Sequence, residues 1–276
     1  MTGLARLSLN QETIKQWSLS ELAEGCAKAG VRGVGLWRAP VQEYGPERAA
    51  RVVRDAGLTV TSLCRGGFFT AIDPAARAAA LDDNRAALDE AATLGTDTLV
   101  LVSGGLPEGS RDLAGARERI ADALGDLAPY AAERGVRLAI EPLHPMYAAD
   151  RCVVSTLAQA LDLAERFPAD RVGVVVDTYH LWWDDTVAAQ IERAGRGGRI
   201  ASFQLADWIT PLPEGVLLGR GQLGDGSVDF RWFRERVDAT GFDGPIEVEI
   251  FNPGLWARDG SEVLAEIAER YRTHVL

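Results

Sequence analysis

One feature constrains this chain more than any other. A short run rich in Val, Ile and Leu recurs eight times, each time followed by a segment with helical punctuation. The runs cover residues 4–9, 33–37, 58–64, 98–102, 137–141, 172–177, 200–205 and 246–251. None exceeds seven residues and few alternate strictly, the pattern of a strand buried on both faces. Their expected ends, at Asn10, Trp37, Cys64, Val102, Glu141, Asp177, Gln204 and Glu249, lie 27 to 45 residues apart, room for a helix and two loops each time. Between them, Ser18 or Ser20, Pro46, Asp73-Pro74, Ser110 or Asp112, Ser155, Asp184-Asp185, Asp229 and Ser261 mark helix starts. Gly30, Gly57, Gly95, Gly135, Gly195 and Gly241 mark the ends, the usual asymmetry of polar N-caps and C-terminal glycines. Eight strand–helix units predict a single (β/α)8 TIM barrel over residues 1–276. The competing open doubly wound sheet would carry a glycine-rich turn after its first strand, and none follows Asn10.

Composition narrows the function. With 29 basic and 40 acidic residues the net charge is −11, which disfavours nucleic acid and anionic membranes as partners. The only lysines are Lys15 and Lys28, both in the first helical region, so a Schiff-base lysine on a barrel strand is excluded. Cys26, Cys64 and Cys152 fit neither a disulfide framework nor a zinc spacing. No apolar stretch approaches the ~20 residues of a membrane span and the first residues lack a signal-peptide core. A cytoplasmic enzyme is the expectation.

In barrels the chemistry gathers at the C-terminal ends of the strands. Here those ends offer Glu141, Asp177, Gln204 and Glu249 on the inward face, with Ile140, Val176, Phe203 and Val248 outward. Three neighbouring carboxylates cannot all stay ionised in a partly dry pocket without a cation. An all-oxygen set suits a divalent ion such as Mn²⁺, with Mg²⁺ or Co²⁺ as alternatives, better than structural zinc. Plainer roles compete: Asp177 as a cap of the next helix, Glu247 as a buried ion-pair residue, and Asp207 as an orienter of Gln204 or a turn cap. His144 and His180 each lie three residues beyond a proposed ligand, and this matched offset suggests that both line the pocket; His274 is given no role. Trp37, Trp182, Trp183, Trp208 and Trp256 fall at or just after strand ends, where they stack on sugar faces or merely cover the rim. The stretch from Arg220 to Gly226 reads as a tight loop presenting Arg220 to substrate oxygens. Asp225 within it would repel an anion, which favours an unphosphorylated sugar or cyclitol.

The ordered set Ile140-Glu141-Pro142-Leu143, Asp177-Thr178-Tyr179-His180, Phe203-Gln204-Leu205-Ala206-Asp207, Arg220 to Gly226 and Val248-Glu249-Ile250-Phe251 resembles the xylose isomerase-like TIM-barrel superfamily. That sugar isomerase and epimerase group includes ketose 3-epimerases, hydroxypyruvate isomerase, 2-keto-myo-inositol isomerase, inosose dehydratase and apurinic endonucleases; 2-keto-myo-inositol isomerase and hydroxypyruvate isomerase look most similar. The resemblance implies one divalent metal, Mn²⁺ foremost, held by Glu141, Asp177, Gln204 and Glu249. Glu141 and Glu249 would double as the acid/base pair, and His144, His180, Arg220, Trp37 and Asp207 would bind substrate. Many members carry histidine at the Gln204 position, so this departure leaves the metal's identity open and lowers the preference for zinc.

The implied activity is isomerisation or epimerisation of a keto sugar or keto-cyclitol by glutamate-mediated proton transfer through an enediolate. A lyase or dehydratase on an inosose or 3-keto sugar uses the same residues and is the principal alternative. A non-catalytic binding barrel ranks lower. So does an apurinic endonuclease, which needs a histidine-rich metal cluster and a basic face. The expected partner is a small carbohydrate or cyclitol, with a homo-oligomer suggested by analogy alone.

Overall fold

The computed structural model describes residues 3–214 and 216–276. Eight parallel strands close into a barrel: β1 (Leu7–Asn10), β2 (Gly33–Trp37), β3 (Thr59–Gly67), β4 (Thr98–Val102), β5 (Arg137–Ile140), β6 (Val172–Asp177), β7 (Ile200–Leu205) and β10 (Ile246–Val248). They are neighbours in that order, and β10 pairs with β1 to complete the ring. Each grows from one of the eight apolar runs. The ends differ by a few residues: β1 starts at Leu7 and β3 runs on to Gly67. Glu141 and Glu249 stand one residue beyond β5 and β10, yet their N–H groups still bond to Leu101 and Leu205 of the adjoining strands, which holds them in register.

Strand alternation sorts the side chains into two layers. Leu138, Ile140, Val174, Val176, Phe203 and Val248 point into the layer shared with the helices and are fully buried. Removing one such side chain from water contributes about 1.5–3 kcal/mol. A separate small cluster of Cys64, Val100, Ala139 and Val175, packed against Trp37, fills the barrel interior. Small side chains there leave room for polar groups above and below. Gly35 makes such room, because a Cβ at that position would collide with the Glu247 carboxylate.

The helices start and stop where local chemistry dictates. Leu19–Ala29 opens with a Ser18–Glu21 capping box and ends at Gly30 in the left-handed conformation. Asp73, Asp112 and Asp229 cap the helices Pro74–Leu94, Leu113–Glu133 and Phe230–Ala239. Three expected starts need correction. Thr156, rather than Ser155, caps Leu157–Ala164, and Asp259, rather than Ser261, caps Gly260–Arg270. Asp184 binds Thr186 instead of capping Val187–Arg196. Among the elements outside the eightfold reading are a helix Arg38–Tyr44 directly after β2, and a short antiparallel ladder of β8 (Asp207–Trp208) with β9 (Arg220–Gly221) above the barrel.

Candidate metal and acid–base site

The barrel mouth holds a cavity of about 170 Å³ whose lining includes Trp37, Glu141, Tyr147, His180, Arg220 and Glu249. Asp177 and Gln204 are buried beside it at adjacent register positions of β6 and β7. Donor atoms of Glu141, Asp177 and His180 lie within 4.8 Å of one another. Asp177 serves two purposes: Oδ1 accepts the Tyr179 N–H at 2.8 Å, capping the short helix Thr178–Leu181, while buried Oδ2 has no hydrogen-bond partner. Gln204 shows the same division. Its Nε2 donates to Glu247 Oε1 at 3.3 Å, leaving Oε1 buried and unpartnered. Because an ionised carboxylate only accepts, Glu247 fixes which way the Gln204 amide faces.

Glu247 is therefore no ion-pair residue, as the sequence had suggested. Its carboxylate takes hydrogen bonds from Asn10, Thr61, Ser62 and Gln204, all neutral.

A buried cation already stands at one side of the acids. Arg220 Nη1 donates to Glu249 Oε2 at 2.9 Å and lies 3.6 Å from Asp177 Oδ2. The guanidinium sits 4.9 and 4.7 Å from the ring centres of Tyr179 and Phe251, and Asn252 binds the Arg220 carbonyl at 2.9 Å. One guanidinium does not neutralise three carboxylates. Burial pushes Glu249 up to about 7 despite Arg220, and Asp177 up to about 6. Burial, then the charges of Glu249 and Asp177, raise Glu141 well above the ordinary carboxylate range. Orphaned, cation-starved oxygens on Asp177 and Gln204 beside Glu141 and Glu249 fit an oxygen-liganded divalent metal.

His180 stands beside these oxygens. Its Nδ1 lies 3.2 Å from the His144 backbone N and its Nε2 lies 3.4 Å from Arg220 Nη2; both partners are donors, so the neutral ring accepts from one of them only. Burial, and then Arg220, hold its pKa well below 6.5, which keeps the ring neutral. Nε2 also faces the acids, 3.8 Å from Asp177 Oδ2, and the ring belongs with Glu141 and Asp177 to one cluster of potential ligand atoms.

Other expected residues are spread more widely. Trp37 lines the cavity, steadied by its Nε1–H bond to Asn10 at 3.0 Å and by edge contact with Phe251. His144 is absent from the lining. It stacks on Trp208 at 4.7 Å, and its Nδ1 accepts from Met146. Asp207 is also turned away, its two oxygens accepting four backbone N–H groups, from Trp208, Gly224, Gly226 and Val228. Asp225 pairs with Arg270 at 2.7 Å away from the cavity, so it repels nothing there. Of the five rim tryptophans only Trp37 lines this cavity; Trp182 and Trp183 line a separate cleft with Asp184 and Trp232. Cys64 also lines it, but burial holds its thiol well above the usual range, so it stays protonated.

Among the cavity residues that the sequence did not single out are Arg65, Tyr147, Arg151, Leu217 and Phe251. Arg65 directly follows the expected end of the third strand, a usable signal. Tyr147 and Arg151 belong to an irregular loop with no periodicity to mark it.

Comparison with known proteins agrees with this architecture. The family model described as xylose isomerase-like TIM barrel matches residues 23–267. A 3-dehydroshikimate dehydratase of Pseudomonas aeruginosa is 30% identical over 275 residues, covering 94% of this chain and 41% of that protein, so the chain spans less than half of that relative's length. An inosose isomerase of Bacillus licheniformis is 26% identical over 160 residues, covering 54% of this chain and 55% of the relative. Among solved structures, protein SMc04130 of Sinorhizobium meliloti 1021 superposes with a TM-score of 0.95 at 46% identity, covering 99% of both chains. The IolI protein with a bound zinc atom shares the fold, with a TM-score of 0.82 at 21% identity over 98% of both chains. The chain belongs to the xylose isomerase-like TIM barrel family.

Proposed function

We propose that this chain is a divalent-metal-dependent enzyme that moves a proton at the carbon next to a carbonyl, on a keto sugar, keto-cyclitol or related keto ring compound. The observation that carries the reading is the pair Glu141 and Glu249, two buried carboxylates of raised pKa lining one cavity, beside the unpartnered oxygens of Asp177 and Gln204. Glu141, Asp177, Gln204 and Glu249 would hold the ion. When bound, the metal supplies Lewis-acid polarisation of the substrate carbonyl, which acidifies the neighbouring C–H.

The chain's own groups do the rest. One glutamate accepts the carbon-bound proton, a step open to a weakly basic, metal-held carboxylate because the C–H it attacks is acidified as well. The other delivers a proton to the opposite face in epimerisation, or to the adjoining carbon in isomerisation. His180 meets the substrate oxygens through Nε2. Arg220 holds Glu249 in place and offers its remaining N–H groups to the same oxygens. Trp37 and Phe251 wall the cavity from water.

A lyase reading uses the same first step. After the proton leaves, a β-hydroxyl departs, and the second glutamate protonates it so that it leaves as water. The similarity to a dehydratase along 94% of this chain favours this branch over isomerisation, because the inosose isomerase match covers only 54%.

Glu141→Gln and Glu249→Gln test the pair. Each is expected to lower kcat by about 10²–10⁴-fold with the circular dichroism spectrum unchanged. Near-full activity in either variant would remove that glutamate from the chemistry.

A further inference from the structure

Two guanidinium groups at the cavity mouth have no work in the scheme above. Arg65 and Arg151 both line the cavity, and among the described residues neither has a side-chain hydrogen bond. Arg65 is only partly exposed and has no acid within ion-pair distance; its guanidinium lies 4.2 Å from the centre of the Phe68 ring. The acid that best offsets its charge, Asp83, is already gripped by both terminal nitrogens of Arg38, at 2.9 and 3.0 Å. Arg151 has only its sequence neighbour Asp150, at 3.7 Å and itself largely solvated. Burial first, and then the like charge of Arg151, lower the Arg65 pKa, so the two guanidinium groups lie close enough to feel each other.

With Glu141, Asp177, Glu249 and the deeper Glu247 all ionised, a divalent ion and Arg220 supply three positive charges against four negative ones, so Arg65 and Arg151 together exceed the balance by one positive charge, in a chain whose overall charge is −11. A partly desolvated, unpaired cation is costly unless a ligand completes it. Arginine's planar fork matches a carboxylate through paired charge-assisted hydrogen bonds.

We propose that Arg65 and Arg151 form an anion subsite, and that the substrate is a keto ring compound bearing a carboxylate which docks there while its carbonyl end reaches Glu141 and Glu249. This deepens the proton-transfer reading and rests on it for the placement of the carbonyl. It also departs from the neutral sugar expected from Asp225, which the structure ties to Arg270. A carboxylate is favoured over a phosphate because the positive charge comes from two side-chain forks, with no helix N-terminus or glycine cradle among the lining residues.

The test is calorimetric binding to Mn²⁺-loaded protein of 3-oxocyclohexane-1-carboxylate, its carboxamide and 3-oxocyclohexyl phosphate. The acid is expected to bind at least about tenfold tighter than the amide. Arg65→Gln and Arg151→Gln should each remove most of that preference while leaving amide affinity unchanged, and Arg65→Lys should keep part of it. Equal affinity for acid and amide, or a preference that survives both substitutions, overturns the subsite. Tighter binding of the phosphate than of the acid overturns the assignment to a carboxylate. The readout does not need turnover: Glu141→Gln, expected to be inactive, should retain the acid preference. An inert wild type that still prefers the acid would therefore count against the reaction and leave the subsite standing.

Discussion

Gln204 carries more information than its neutral side chain suggests. At an adjacent register position to Asp177 it offers a metal only one good ligand atom, and only if the amide faces the right way. Glu247 sets that direction from below, and Gly35 gives the Glu247 carboxylate its room. Glu247→Gln would let the Gln204 amide face either way, and a Mn²⁺ affinity loss of about 10–100-fold is expected, measured by titration calorimetry. Unchanged affinity would mean that Gln204 needs no support from Glu247. Glu141, Asp177, Gln204 and Glu249 were legible in the sequence because each follows a strand whose apolar run announces it, and strand parity says which face it takes. Glu247 was misjudged: the sequence shows a buried acid but not that four neutral groups from β1, β3 and β7 converge on it. Arg65 and Arg151 were missed because whether an arginine is paired depends on distant residues.

Between residue and molecule stands the loop from Asp207 to Val228, which carries Arg220 to the acids. Its β8–β9 ladder is only two residues long, too short to show any period, so the sequence indicated a tight loop but not the ladder that shapes it. Asp207 organises the segment through four backbone N–H groups, and a Cβ at Gly226 would collide with the Trp208 carbonyl. Asp207→Ala leaves those donors without their acceptor. A loss of about 3 kcal/mol in stability is expected from denaturant unfolding, with a fall in kcat as Arg220 loses its placement. A change below about 0.5 kcal/mol would mean that water replaces Asp207 without cost. Longer elements were far more readable. The helix Leu19–Ala29 has both its ends written in Ser18, Glu21 and Gly30. Where the wrong cap was named, at Thr156 and Asp259, an alternative polar residue lay one or two positions away.

At the scale of the whole molecule, the eightfold alternation determined the architecture, since short strands buried on both faces and separated by helices have few ways to close. The price of the site shows in pH dependence. Burial raises Asp177 to about 6 and Glu249 to about 7, whereas in the unfolded chain both titrate near 4. Between those values the folded state holds protons that the unfolded state has released, so metal-free stability from these groups falls as pH rises from about 4 to about 7. The thermal midpoint of metal-stripped protein should therefore drop between pH 5 and pH 8, less so in Asp177→Asn. Added Mn²⁺ should raise it most at pH 8, where the carboxylates give up their protons most readily; a stabilisation independent of pH would place the ion elsewhere.

The most direct measurement is proton NMR of Mn²⁺-loaded and metal-stripped protein in D₂O with a panel of ketoses, inososes and keto ring acids. Metal-dependent deuterium incorporation at the carbon beside the carbonyl is expected for at least one compound, abolished by Glu141→Gln, with the product separating epimer, isomer and dehydrated species. An epimer or isomer formed without solvent deuterium, or exchange or dehydration that persists in the Glu141→Gln variant and without metal, would contradict proton transfer by this site.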